Sequence, residues 1–159
     1  MAEIEYCDEA FHDLSIMLHS DTERPTFRSE LLVPKHFDYS LESLDHLERY
    51  LMAVREDKDV ELDWNRTVLR CGAYVGEVIR SAKPNDNWHW VDYATVRRLN
   101  PRDPTFEQQS IANTAVLTNW RSSYWFPLGK VYKFLENGPE DSVKAFAAVA
   151  IDQPASLRR

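Results

Sequence analysis

Two glycines set four residues apart inside an amphipathic stretch constrain this chain most. The segment Cys71-Gly-Ala-Tyr-Val-Gly-Glu-Val-Ile-Arg80 lies in a run from about Asp63 to Ala82. Its apolar side chains Val68, Cys71, Val75, Val78 and Ile79 recur at steps of three and four, the spacing of one helix face. A glycine in a helix interior costs roughly 1 kcal/mol relative to alanine. A helix that carries Gly72 and Gly76 on one face, with Ala73 beside them, is expected to have another part of the backbone close against it. Pro84 and the Asn85–Asn87 cluster end it.

A chain of 159 residues can bury enough surface around such a helix to form one domain without disulfide or metal staples. Residues 1–152 read as that domain and 153–159 as a frayed tail. With 43% apolar and 28% charged residues and only 4 glycines, disordered and collagen-like classes are excluded. No apolar run approaches the length of a membrane span, and the acidic start MAEIEYCDEA is not a secretory leader, so a cytoplasmic protein is expected. Cys7 and Cys71 then read as reduced core thiols.

Residues 3–19 give a first amphipathic helix through Ile4, Cys7, Phe11, Leu14 and Leu18. A second begins at Ser40, whose hydroxyl can cap it, and continues through Leu44, Leu47, Leu51 and Val54. Beyond the glycine helix the period changes to two. Trp88, Trp90 and Asp92 alternate with His89, Val91 and Tyr93, which predicts a strand over 87–93. Residues 94–113 read as a polar loop with a short helix over Thr105–Ile111. Thr114–Thr118 reads as a second strand and Lys130–Leu135 as a third, in uncertain register. Asn137-Gly138 is a turn, and Pro139 opens a last helix lined by Val143, Phe146, Ala147 and Ala150. Helices segregated from strands predict an α+β fold, with N-terminal helices packed on a small antiparallel sheet and a C-terminal helix.

Charge is unevenly placed. Residues 1–63 hold 6 Lys and Arg against 17 Asp and Glu, while the rest carry a positive excess within a total of −7. That balance argues against nucleic acid and allows a basic partner; it equally suits a solvated face. The candidate contacts for a partner are Asp8 and Glu9, together with Trp120, Arg121, Tyr124 and Trp125 in an aromatic loop. Glu77 is the unusual carboxylate. If it is buried beside the small-residue face of Gly72 and Gly76, its ionised form must be paired, with Arg70, Arg80 or His89 as candidates, or its pKa must rise. It is either a salt bridge that fixes the helix against the sheet or a ligand-contacting group. The five histidines lack metal-ligand spacing, no nucleophile elbow or phosphate loop occurs, and no metal or cofactor is expected.

Ser40-Leu-Glu-Ser-Leu-Asp45, Gly72-Ala-Tyr-Val-Gly-Glu77, Trp88-His-Trp90 and Phe126-Pro-Leu-Gly-Lys-Val-Tyr-Lys-Phe-Leu-Glu-Asn-Gly138 together resemble a family of small bacterial proteins of undefined biochemical function. The resemblance covers most of residues 40–150. It implies a stand-alone cytoplasmic domain and, by likeness in size, charge and bacterial style, an immunity protein that binds and neutralises a toxin. The expected function is non-enzymatic binding of a protein partner, such as a basic toxin domain. The alternative is a small enzyme or ligand-binding domain that uses Glu77 with a His or Arg partner.

Overall fold

The structure, a computed structural model, describes residues 3–121 and 123–153. Its elements in chain order are α1 (Asp8–Ser20), α2 (Ser43–Arg55), α3 (Trp64–Ala82), β1 (His89–Asp92), α4 (Tyr93–Leu99), β2 (Ala115–Thr118), α5 (Pro127–Asn137) and α6 (Val143–Ile151), joined by short 3-10 turns. The fold is α+β. The tail expected over 153–159 lies, apart from Gln153, outside the described residues.

Helix α3 is the centre. From Thr67 to Ile79 only Leu69 escapes full burial, so the helix is covered on every side rather than along one stripe. Helices α1, α5 and α6 pack directly on it. The glycines make this approach possible. A Cβ on Gly72 would lie 2.9 Å from the Leu128 Cα, in the first turn of α5. A Cβ on Gly76 would enter the Trp90 ring, 2.6 Å from its Cη2. One glycine therefore admits a neighbouring backbone, and the other admits a flat indole.

The sheet has two strands, antiparallel, with Trp90 opposite Leu117 and Val91 opposite Val116. Alternate side chains serve two cores. Trp90, Leu117 and Ala115 join the main cluster around α3, and Trp90 stacks on Phe11 of α1. Val91 and Val116 point into a smaller cluster with Val96 and Phe106. Trp125 exchanges two backbone hydrogen bonds of 2.9 Å with Leu117, so the aromatic loop folds back onto the sheet edge.

Several sequence expectations are corrected. The third strand over Lys130–Leu135 is part of α5: Leu128, Val131, Phe134 and Leu135 are buried at helical spacing, which is why Val131 and Phe134 share no strand face. Pro127 starts this helix, and Gly138, at φ 94°, stops it. Arg55 of α2 donates to the open Leu135 and Glu136 carbonyls at its end. The polar loop holds α4, because the Asp92 side chain accepts from Thr95 N and caps it. The short helix over Thr105–Ile111 is instead two 3-10 turns, Pro104–Phe106 and Ile111–Asn113. Helix α1 starts at Asp8 rather than residue 3, and α2 at Ser43, after a turn in which Ser40 Oγ accepts from Ser43 N. Pro139 opens a separate 3-10 turn; the cap of α6 is Ser142, whose Oγ accepts from Ala145 N and donates to Glu48 of α2.

Candidate functional site

The face of α3 that carries Glu77 and Arg80 forms one wall of a cleft of about 790 Å3. His12 from α1, the Asp38–Ser40 loop, Asn87 and His89 supply the others. Two lining residues hold left-handed backbone despite their side chains, Tyr39 at φ 67° and Asn87 at φ 58°. Tyr39 is fixed there by Tyr74 of α3, whose hydroxyl accepts from Tyr39 N at 2.9 Å, while the Tyr39 hydroxyl meets Ser15 Oγ of α1. The 3-10 turn before Asn87 begins with Pro84, so the end of α3 turns sharply and opens the cleft.

Glu77 is buried and fully partnered. Its carboxylate accepts from Arg80 Nη1 at 2.8 and 3.0 Å, from Trp90 Nε1 at 3.0 Å, and lies 2.9 Å from His12 Nδ1. Arg80 also reaches Asp8 at 3.3 Å and donates through Nε to the Trp88 carbonyl. Asp8, in turn, lies 2.7 Å from His89 Nδ1 and accepts from Trp90 N. The result is a chain of contacts, His12–Glu77–Arg80–Asp8–His89. One guanidinium bridges two carboxylates, and each carboxylate holds one imidazole by Nδ1. The second nitrogen, Nε2, of each ring makes no hydrogen bond among the described residues. His12 is half exposed, with 51% of its side chain accessible, against 5% for Glu77. A buried charge is tolerated when it is paired and its lone pairs are satisfied, as here.

Of the three partners expected for Glu77, the structure brings Arg80. Arg70 points elsewhere, to Asp21 Oδ2 at 2.7 Å and to the Arg24 carbonyl. His89 reaches Asp8 instead. His12 joins unforeseen, from a helix 65 residues away. Asp38, on the cleft's outer loop, is held below the usual carboxylate range, first by the Ser40 hydroxyl and then by its amide. Glu77 and Asp38 thus line the cleft together with Arg80, and Asp8 joins them through its contact with Arg80.

The residues proposed for partner contact are dispersed. Asp8 is half-buried in the network, whereas Glu9 on the next position is exposed. Trp120 is exposed, adopts φ 61°, and its indole Nε1 donates to the Tyr6 hydroxyl at 2.9 Å. Tyr6 stacks flat on His89 with ring centroids 3.9 Å apart. This aromatic pair extends the rim of the Glu77 cleft. Tyr124 touches Trp120 edge-on, and Arg121 is half-buried beside it. Trp125 faces a different region and lines a second cleft. Its indole Nε1 is buried without a hydrogen-bond partner, a loss of roughly 1–3 kcal/mol for an unsatisfied donor.

Both cysteines are free thiols. Burial pushes Cys7 up to about 11 and Cys71 further, so neither is a thiolate at neutral pH. Among the described residues no group of three His, Cys, Asp or Glu side chains is placed to hold a metal ion, and no helix is long and apolar enough to cross a membrane. No family model, curated protein or solved structure matches the chain.

Proposed function

We propose that this is a cytoplasmic, non-enzymatic binding protein whose Glu77 cleft receives a basic side chain from a protein partner. The observation that carries the reading is that Glu77 and the exposed Asp38 line one cleft with Arg80, whose guanidinium is already engaged by Glu77 and by Asp8. A guanidinium or ammonium entering there meets Asp38, whose Oδ1 is the oxygen that Ser40 occupies, and gains a charge-assisted hydrogen bond to Oδ2 without displacing the Glu77 network. Tyr6 and Trp120 offer aromatic contacts beside His89 at the mouth, and Glu9 is an exposed acid on α1, residue types that anchor partner surfaces and speed encounter with a basic molecule. The toxin-neutralising role implied by the family resemblance is the specific form of this proposal, with a basic toxin domain as the partner.

Calorimetry with argininamide tests the cleft. Saturable binding is expected, weakened about three- to fivefold by Asp38→Asn, which removes one exposed carboxylate. Equal binding of malonate, or no effect of Asp38→Asn, contradicts the reading. The toxin form is tested separately by co-purification with the product of the adjacent gene, and no complex at low salt removes it.

A second reading, a small acid–base enzyme, is favoured by one feature. His12 and His89 are each oriented by a carboxylate at Nδ1 with Nε2 left unbonded, the arrangement that suits proton transfer. Turnover of chromogenic esters or phosphodiesters that disappears in both His12→Gln and His89→Gln would support it. Turnover unaffected by either substitution excludes it.

A further inference from the structure

We propose that the second cleft, between the aromatic loop and α5, is a binding site for a small aromatic carboxylate. It is separate from the Glu77 cleft and does not depend on the function proposed there. Its volume of about 450 Å3 falls within the range of small-molecule sites. Tyr124, Trp125, Phe126 and Phe146 supply flat apolar walls, and Gly129 with Ala112 forms a floor without large side chains. A Cβ on Gly129 would come within 3.3 Å of the Ala112 Cβ, so any larger residue there would crowd the floor.

Charge at this cleft has the opposite sign to that of the first. Lys130 and Lys133 both line it. Lys130 is occupied by Asp141 at 3.0 Å. Lys133 is exposed and makes no hydrogen bond or ion pair among the described residues, although its charge helps to hold Asp141 ionised. The floor is also the first turn of α5, the positive end of its dipole. One free ammonium over aromatic walls fits an anion attached to a ring: the ring replaces water against the apolar walls, and the carboxylate faces Lys133. Trp125 lines the cleft, so its indole signal reports a ring that stacks beside it.

The choice of a carboxylate over a phosphate follows from the donors. A single lysine is a point charge with no paired guanidinium to grip several oxygens, and most of the lining is apolar. The size of the cleft and its walls favour a free small molecule over a polymer segment.

The test uses full-length protein labelled at the tryptophan indole nitrogens and titrated with phenylacetate, benzyl alcohol and benzylamine. The Trp125 signal is assigned with Trp125→Phe. Phenylacetate is expected to shift it saturably and to bind at least fivefold tighter than benzylamine. Lys133→Met, at an exposed position where the fold is not at stake, should weaken phenylacetate about fivefold and leave benzyl alcohol unchanged. The proposal fails if no saturable shift occurs, if benzylamine binds as tightly, or if Lys133→Met has no effect. A shift confined to the Trp90 indole would place binding in the Glu77 cleft and would equally refute it.

Discussion

The two clefts are built from similar side chains and differ in how their polar groups are satisfied. In the Glu77 cleft, acid, guanidinium, imidazole and indole close into one network that ties α1, α3 and β1 together. In the Trp125 cleft, aromatic walls meet a free lysine, and an indole N–H is left without an acceptor. The clefts are neighbours: Trp88 lines the first and touches Trp125 of the second edge-on, with centroids 6.4 Å apart. The difference teaches where binding and stability are coupled. Removing a group from the first cleft leaves other buried groups unpaired, whereas removing Lys133 from the second unpairs nothing.

The contrast is broken most forcefully at Arg80. Arg80→Met strands Glu77 and Asp8 together, and since Arg80 is only partly buried the expected loss is about 2–3 kcal/mol, read from urea unfolding. A loss below about 0.5 kcal/mol would mean the network does not hold the fold. Next is Gly76→Ala, which forces a methyl against Trp90, the residue that joins Glu77 to β1. Alanine's helix preference recovers roughly 1 kcal/mol of the crowding penalty, leaving a net loss of about 1–2 kcal/mol. Unchanged stability there would show that the indole moves aside easily. Lys133→Met sharpens the comparison from the other side: its unfolding midpoint should stay within about 0.5 kcal/mol of the parent while anion binding falls.

The smallest effect concerns pH and lies outside both clefts. Burial lowers the affinity of His19 for a proton, and its Nδ1 is buried without a hydrogen-bond partner. The unfolded chain takes that proton at about pH 6.5, and the folded chain at a lower value. The folded state therefore binds fewer protons in this window, and stability falls as pH drops from neutral through the ordinary histidine range. His19→Asn should flatten that slope in unfolding curves taken between pH 7 and pH 5. An unchanged slope would contradict this assignment to His19.

What the sequence made legible was local. The glycine pair marked the close approach to α3, and the three-residue spacing of Glu77 and Arg80 marked their ion pair. The change to period two located β1, although the strand is His89–Asp92 rather than 87–93; Trp90 within it and Trp88 just before it are both buried. Long-range partners carried no such mark. Asp8 and His12 share a face of α1 by their four-residue spacing, but nothing in that spacing says the face lies on Glu77 and His89. Helix α5 was misread because Val, Tyr and Phe favour strands and the Asn-Gly turn follows; burial against Gly72 overrode that preference. The Glu77 cleft depends on turns at Tyr39 and Asn87, where the backbone takes left-handed angles that these residues seldom adopt.

One indole-labelled sample, titrated first with argininamide and then with phenylacetate, tests the opposed character of the two clefts most directly. The account predicts that argininamide shifts the Trp90 indole, which donates to Glu77, and leaves Trp125 in place, while phenylacetate shifts Trp125 and leaves Trp90. Both probes moving the same indole, or each moving the other's, would contradict it.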